Sequence, residues 1–311
     1  FLILMKKIIL PKHFKTSINY DYPLGLKTWY KIGGRADIFI EPKSLLELEY
    51  LIPKLCSIDT KLLFFGKGAN ILIDDCGIDK PVISLSENPF CSWRINESKN
   101  NIEIIANAGC DLFQIVKKTV YLGLNGLVHL TGIPGTIGGA IAMNAGGKWG
   151  DTFDTLKHLK VMSNNGKILK INKDEIEYGY RKGINNGLII EATFATEKYK
   201  NTDNVIKKWR SIFTEKKKSQ PLSESSPGCT FKNPLDTNQI RISAGKLIDS
   251  CKLKNFKYGK ATVSSTHANF LIAEKETPTS DILKLMDIIK KKVYEMHAIS
   301  LEKEVVIWCR Q

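Results

Sequence analysis

Two separated stretches of this sequence carry residues able to do chemistry. The first runs Gly132-Ile133-Pro134-Gly135-Thr136-Ile137-Gly138-Gly139-Ala140 and continues into Asn144-Ala145-Gly146-Gly147. Glycines at this density leave backbone N–H groups uncovered by side chains, which suits a cofactor carrying a diphosphate. The second is Gly228-Cys229-Thr230-Phe231-Lys232-Asn233-Pro234, a thiol beside a lysine and an amide in a turn-like setting. A shorter cluster, Gly66-Lys67-Gly68-Ala69-Asn70, follows a strand-like segment. Both glycine clusters end in an asparagine able to hydrogen-bond a ligand. A cofactor cradle upstream and a reactive group downstream is the layout of an enzyme.

The common nucleotide loops do not fit. A dinucleotide fingerprint at Gly66-Lys67-Gly68 fails because its third glycine position is Ile71 and a strand follows where a helix belongs. A phosphate-binding loop fails at Gly147-Lys148, with Ala142 in the first glycine position, and at Gly245-Lys246, with Ile240 there. One glycine cluster alone reads as a tight turn between strands; two favour a cofactor site. A single cysteine is more often a packing residue than a catalyst. Around Cys229, however, Gly228, Lys232, Asn233 and Pro234 describe an exposed loop. Tyr178-Gly179-Tyr180-Arg181 and Glu304 taken singly read as ordinary charges at strand ends.

The elements that must position these residues alternate between strand and helix. Trp29–Ile40 reads as a turn feeding a strand, and Ser44 opens a helix with Glu47 in the capping-box position. Its buried face is Leu45, Leu48, Leu51, Ile52 and Leu55. Strands are predicted over Lys61–Phe65, Ile71–Ile73, Val82–Leu85 and Ile102–Ala106. Asp111 caps a second helix, with Gln114 in the box position and Gly123 as its stop. Short strands with polar turns, among them Asn164-Asn165-Gly166-Lys167, fill Leu156–Thr196. The polar segment Glu197–Asn204 marks a boundary, Val205–Phe213 is amphipathic, and Lys216–Lys218 reads as a solvated basic run. A last helix starts at Pro278-Thr279-Ser280, with Ile282, Leu285, Met286, Ile289 and Val293 inward, and the chain closes on the strand Val305–Trp308.

A chain of 311 residues makes two or three units with cores of their own. Its hydrophobic and charged fractions, 43% and 25%, are those of a globular protein. The net charge of +14 raises nucleic acid as a partner. The lysines are spread along the chain among Asn and Ile, no recognition motif accompanies them, and no nucleic-acid partner is expected. The same positive field favours an anionic substrate. Seven cysteines without C-x-x-C spacing imply neither a disulfide framework nor a zinc ribbon, and fit a reducing cytoplasm. The apolar opening, Phe1–Leu10, is too short to span a membrane; Met5 reads as a natural start, and no export signal is read. Residue patterns alone lead to an α+β cofactor enzyme in the cytoplasm.

Taken together the motifs resemble the UDP-N-acetylenolpyruvoylglucosamine reductase family, from about Thr28 to Val306. The markers are Gly33-Gly34-Arg35-Ala36, Gly66–Asn70, Gly132–Ala140, Tyr180-Arg181, Gln220-Pro221-Leu222 and Gly228–Pro234. They continue through Ala244-Gly245-Lys246-Leu247-Ile248, His267-Ala268-Asn269-Phe270 and Leu301–Val305, in the family's order. The resemblance implies an FAD-binding domain of the vanillyl-alcohol-oxidase type in two subdomains, 15–80 and 81–200, then an α+β substrate-binding domain, 204–311. It implies non-covalent FAD, NADPH as hydride donor, UDP-N-acetylglucosamine enolpyruvate as substrate, and a monomeric protein. Cofactor-binding positions carried over are Gly66, Lys67, Gly68, Ala69, Asn70, Ile71, Gly132, Ile133, Pro134, Gly135, Thr136, Gly138, Gly139, Ala140 and Asn144. The form implied lacks an extra loop insertion after Arg181. Three positions depart from the family's usual serine: Ala69, Gly183 and Cys229.

The implied catalytic residues are Arg181, Cys229 and Glu304. Arg181 suits a substrate carboxylate because a planar guanidinium meets it through two hydrogen bonds. Glu304, to help there, must carry or share a proton, which requires a site that raises its pKa. Cys229 stands at the family's proton donor, and a thiol is a stronger acid than a serine hydroxyl. Tyr180, Lys232, Asn233 and Asn269 are implied as substrate contacts. Two rivals remain at this point: another flavin oxidoreductase of the same superfamily, and a basic nucleic-acid binder. Flavin absorption bands would separate the second from the first.

Overall fold

The computed structural model describes residues 10–57, 61–98, 101–184 and 186–310, so the apolar opening apart from Leu10, with Met5, falls outside the described residues. Strands and helices are mixed throughout, the α+β class expected. Contacts divide the chain into two compact units. The first takes residues up to Tyr20, Asp37–Lys67 and Lys80–Glu215; the second takes Asp21–Ala36, Gly68–Asp79 and residues from Lys216 onward. The stretch 15–80 therefore contributes to both.

In the first unit a four-stranded sheet has the spatial order Ser17–Tyr22, Ala36–Glu41, Val82–Ser84, Leu63–Phe65. Val82–Ser84 pairs in parallel with both neighbours and is wholly buried, Ser84 included. The helix Leu45–Cys56 packs Leu48, Leu51, Ile52 and Leu55 with Ile38 and Ile40 in the core. Ser44 caps it as expected, its Oγ accepting from the Glu47 N–H at 3.2 Å. The Glu47 carboxylate turns elsewhere, accepting from Lys43 N–H (2.7 Å), Lys15 N–H (2.9 Å) and the Thr16 hydroxyl (2.6 Å). Burial would raise its pKa, but these donors win and hold it below the ordinary value.

A five-stranded antiparallel sheet follows, ordered Ile168–Asn172, Leu156–Met162, Leu188–Thr196, Asn101–Asn107, Trp93–Ser98. One edge, Trp93–Ser98, is polar and exposed, and its alternation is too weak to read in advance. Two carboxylates are buried on this sheet beneath cations. Glu191 pairs with Lys160, directly opposite, and with Arg94 at 3.0 Å. Glu103 accepts from Lys157 (2.6 Å), Asn101 (2.9 Å) and Asn96 (3.1 Å). The helix Leu112–Tyr121 is capped by Asp111, which accepts from Gln114 N–H, and Gly123 ends it at φ +76°.

Two expectations are corrected. The glycine-rich stretch is not loop throughout, because Ile137–Ala142 is a short helix capped by Thr136. Burial of Ile137, Ala140 and Ile141 overrides the poor helix propensity of Gly138 and Gly139. The basic run Lys216–Lys218 is not wholly solvated. The helix Thr202–Ser219 absorbs it, and helical spacing brings Lys216 (6% exposed) onto the face of Val205, Trp209 and Ile212.

In the second unit the helix Thr279–His297 buries Ile282, Leu285, Met286, Ile289 and Val293. They pack with Tyr30, Ile32, Leu72 and Phe231 into one core. The strands Lys257–Tyr258, Ala261–Val263 and Leu271–Ala273 form an antiparallel sheet, and Val306–Trp308 pairs in parallel with Ile71–Ile73.

The Glu103 site yields a test. The Lys157 ammonium, above all, with the Asn96 and Asn101 amides, overcomes burial and holds its carboxyl down at about 2. Glu103→Gln should lower stability by about 1 kcal/mol at pH 7. A depressed folded-state pKa stabilises fully above the unfolded value of about 4.3, and the gain is lost as pH falls through the folded one. Denaturant titrations at pH 7 and pH 2.5 should therefore show the gap narrowing in acid. An unchanged gap would trace the effect to shape rather than charge.

Candidate functional site

The glycine cradle lies in the first unit, where ends of neighbouring strands meet the helix Ile137–Ala142. A cavity of about 250 Å³ is lined by Phe64–Gly66, Leu85, Ala108, Gly109, Thr136 and Gly138–Gly139, with Ala142, Ile184 and Gly187–Ile189 completing its wall. Bare backbone is a requirement here. A Cβ on Gly66 would fall 2.6 Å from Thr136 Oγ1, and one on Gly109 would fall 1.8 Å from Leu85 O. Thr136 Oγ1 accepts from Gly139 N–H, while Ile137 and Gly138 donate to Cys110 O and Ala108 O at 2.9 and 2.8 Å. Those three donors of the glycine stretch are thus taken. The N–H groups of Gly135 and Thr136 have no partner among the described residues. An apolar wall, bare backbone and two uncommitted donors fit the diphosphate of a dinucleotide cofactor.

The remaining expected cofactor positions fare differently. Gly132 (φ +74°), Ile133 and Pro134 form the approach to Gly135, and Ala140 packs into the core. Lys67 is paired with Asp111, which also caps the helix Leu112–Tyr121. Gly68–Ile71 belong to the second unit. There Gly68 turns the chain at φ +62°, Ala69 follows in the turn, and the Asn70 amide donates to Glu304 O at 2.9 Å. Ile71 pairs with Val306. Asn144 is buried, donating to Gly179 O (3.0 Å) and accepting from Phe153 N–H (3.1 Å). Its amide links backbone segments. Strand-end residues such as Leu85, Ala108 and Leu188 were missed, because apolar strand ends carry no chemical signal in sequence.

Arg181 occupies a two-residue turn closed by reciprocal hydrogen bonds between Gly179 and Lys182, at 2.8 and 3.1 Å. It takes φ +54°, a region disfavoured for a long side chain. The guanidinium lies over the Tyr180 ring, 4.8 Å from its centroid, and donates through Nη2 to Gly146 O at 3.1 Å. Its Nη1 stands 3.9 Å from Asp151 Oδ1. Burial pushes the Asp151 carboxyl up, opposed by Arg181. Gly183, two residues on, has no room for a side chain: its Cβ would lie 1.8 Å from Ile141 O.

In the second unit, the chain around Cys229 is pinned on two sides. Thr230 N–H donates to Asn269 O (2.8 Å), and Asn269 grips Phe231 with both ends of its amide at 2.9 and 2.8 Å. On the other side Phe231 bridges Lys303, and Glu304 N–H donates to Thr230 O at 2.8 Å. This pairing brings Cys229 and Glu304, 75 positions apart in sequence, to neighbouring places on adjacent extended segments. The segment is therefore not simply an exposed loop: Thr230 and Phe231 are buried, and Cys229 is half-buried. Lys232 is paired with Glu302 at 2.6 Å. Asn233 Oδ1 accepts from Ala244 N–H at 3.0 Å, steadying the start of the helix Ala244–Ser250. The hydroxyls of Thr230 and Tyr30 are both buried, and burial raises the Tyr30 phenol pKa, opposed by the Thr230 hydroxyl.

The cradle can be tested without disturbing the fold. At Gly138 a Cβ would meet Ala108 Cβ at 3.0 Å, so substitution there mixes folding with binding. At Gly139 a Cβ meets only Thr136 Oγ1, at 3.4 Å, and the residue lines the cavity. Gly139→Val should fold with a melting temperature within a few degrees of the parent and carry little flavin. Full flavin content by absorbance would remove this loop from the cradle.

Comparison with known proteins fits this arrangement. Residues 36–172 match the FAD binding domain, and residues 220–308 match the UDP-N-acetylenolpyruvoylglucosamine reductase C-terminal domain. The chain is 34% identical over 291 residues to the UDP-N-acetylenolpyruvoylglucosamine reductase of Lachnoclostridium phytofermentans, covering 93% of this chain and 92% of that one. It is 35% identical over 308 residues to that of Orientia tsutsugamushi, covering 96% and 97%. The crystal structure of UDP-N-acetylenolpyruvylglucosamine reductase from Thermus caldophilus superposes with a TM-score of 0.78 at 27% identity, over 95% of this chain and 99% of that one. An FAD-binding portion followed by a distinct C-terminal domain is the order the sequence implies. Identity of this size along nearly the whole of both chains shows that the chain belongs to the UDP-N-acetylenolpyruvoylglucosamine reductase family.

Proposed function

We propose that this protein uses NADPH to reduce UDP-N-acetylglucosamine enolpyruvate to UDP-N-acetylmuramate, a precursor of bacterial peptidoglycan, with FAD bound non-covalently. The observation that carries the reading is likeness along the whole chain, with an FAD-binding match and a reductase C-terminal match in sequence order. The cavity with bare glycine walls supports it independently. Among the described residues no helix is long and apolar enough to cross a membrane. A monomer working in the cytoplasm completes the reading.

When bound, the flavin supplies the two-electron carrier between nicotinamide and the enolpyruvyl double bond. The uncommitted backbone N–H groups of Gly135 and Thr136, beside the bare backbone of Gly66, would hold its diphosphate. Arg181 grips the substrate carboxylate, on which negative charge builds as the double bond is reduced; electrostatic stabilisation of this kind is often the largest catalytic contribution. Glu304 shares a proton with the same carboxylate. Cys229 gives its thiol proton to the carbon beside that carboxylate, forming the C–H bond as the S–H bond breaks. Tyr180, Lys232 and Asn233 contact the sugar nucleotide, Lys232 exchanging Glu302 for a phosphate. Asn269 acts through the Phe231 backbone that it grips.

Anaerobic rapid mixing tests the reading, because the two half-reactions are optically separate. Bound flavin should bleach with NADPH and recolour with the enolpyruvyl sugar nucleotide; bleaching without recolouring would point to another oxidoreductase. Arg181→Ala should bleach within twofold of the parent rate and recolour about a hundredfold more slowly. Arg181→Lys should recover little, since a point charge lacks the bidentate fork. Equal losses in both halves would remove Arg181 from the carboxylate.

Cys229→Ala should bleach normally and then recolour very slowly, whereas Cys229→Ser should keep partial turnover because a hydroxyl can still donate. Recolouring of the alanine variant at the parent rate would show that the thiol only packs.

A further inference from the structure

We propose that the short hairpin Gly146–Asp151 is the positioning element for Arg181, with Asp151 as its positioning carboxylate. The inference rests on the role given above to Arg181. The hairpin pairs Gly146 with Asp151 and Gly147 with Gly150, so its two ends lie side by side. Each end presents an oxygen to the guanidinium: Gly146 O at 3.1 Å from Nη2, and Asp151 Oδ1 at 3.9 Å from Nη1. A separation of 3.9 Å is charge attraction without a direct hydrogen bond. Asp151 thus orients the fork by charge rather than by a direct hydrogen bond. The guanidinium is further ordered by the Tyr180 ring beneath it.

The hairpin is rigid enough for this task. A Cβ on Gly146 would fall 1.7 Å from Asp151 Oδ1, so only glycine leaves the carboxylate its place. Asp151 N–H donates to Asp154 Oδ2 at 2.9 Å, and Asp151 O accepts from His129 Nε2 at 3.0 Å. The imidazole must therefore carry its proton on Nε2, and burial lowers its pKa. Thr152, fully buried, ties the next residue down with two hydrogen bonds to Ala145 O, at 2.9 Å from its N–H and 2.6 Å from its hydroxyl. On the other side, the Asn144 amide holds Gly179 O and with it the turn that carries Arg181. The hairpin and that turn are both fastened to the end of the helix Ile137–Ala142. Arg181, on a disfavoured φ, is held in one orientation by its surroundings rather than by its own preference.

The test uses flavin-loaded protein carrying Asp151→Asn, which keeps the shape and removes the charge. Flavin content, melting temperature and the bleaching rate with NADPH should stay within twofold or a few degrees of the parent. Recolouring should slow about tenfold, and calorimetry should show the carboxylate product binding about tenfold more weakly. Arg181→Ala combined with Asp151→Asn should be no slower than Arg181→Ala alone, because the carboxylate acts only through the guanidinium. Guanidinium ion added to Arg181→Ala should restore part of the recolouring rate, and should restore none once Asp151 is also replaced. If Asp151→Asn does not fold, Asp151→Ser keeps a capping oxygen for Thr152–Asp154 and serves in its place. Parent-like recolouring and product binding in the Asp151 variant, with Arg181→Ala slow, would overturn the positioning role alone. Multiplicative losses in the double variant would do the same. Parent-like recolouring of Arg181→Ala would bring down the role of Arg181 and this inference with it.

Discussion

Close approach of backbone to backbone is the constraint on which the first unit's site depends. Gly183 and Gly109 each bring the chain so near a carbonyl oxygen, that of Ile141 or Leu85, that a Cβ would lie 1.8 Å from it. The first contact sets the turn bearing Arg181 against the end of the helix Ile137–Ala142. The second sets the strand Asn101–Asn107 and the capped helix after it against Leu85, where the cavity opens. Neither approach could survive a methyl group without moving the elements it joins. Gly183 is thereby explained. The backbone has closed onto the space that a side chain would need.

Polar side chains that look ligand-ready in sequence largely serve as struts. Asn144, Asn269 and Asn233 each direct their amides to main-chain groups, and Lys67 and Lys232 are paired with Asp111 and Glu302. A buried amide left unsatisfied costs about 1–3 kcal/mol, so one that lashes two segments together is both stabilising and specific. Asn269 illustrates the consequence. By gripping both polar groups of Phe231 it fixes the segment that places Cys229 near Glu304. Its influence on chemistry runs through backbone geometry.

Rigidity and strain are balanced around Arg181. A left-handed conformation costs a non-glycine residue roughly 1–2 kcal/mol. The reciprocal Gly179–Lys182 hydrogen bonds, the Tyr180 ring and the Gly146 carbonyl offset that cost and leave one orientation. Strain of this kind is kept where a side chain must project in a direction ordinary backbone does not provide.

Much of this was legible beforehand. Helix caps at Ser44 and Asp111, the inward stripe of Thr279–His297 and the glycine-marked turns are local, and local chemistry is written in residue type and spacing. The longer glycine cluster read as a cradle borders a cavity in the first unit, and the order of motifs announced the family. Sequence could not tell that Ile137–Ala142 is helical, that Lys216 turns inward, or that the N–H groups of Ile137 and Gly138 are already taken. Each of these depends on a partner from elsewhere in the chain. Nor could it link Asp151 to Arg181, or Cys229 to Glu304. Those pairs are 30 and 75 positions apart, and their proximity arises from backbone pairing and close packing, which no local propensity encodes. The sequence by itself determined which groups are present and where turns must fall. Tertiary structure decided which groups meet and which polar atoms stay free, because burial and hydrogen-bond satisfaction are settled only when distant segments pack.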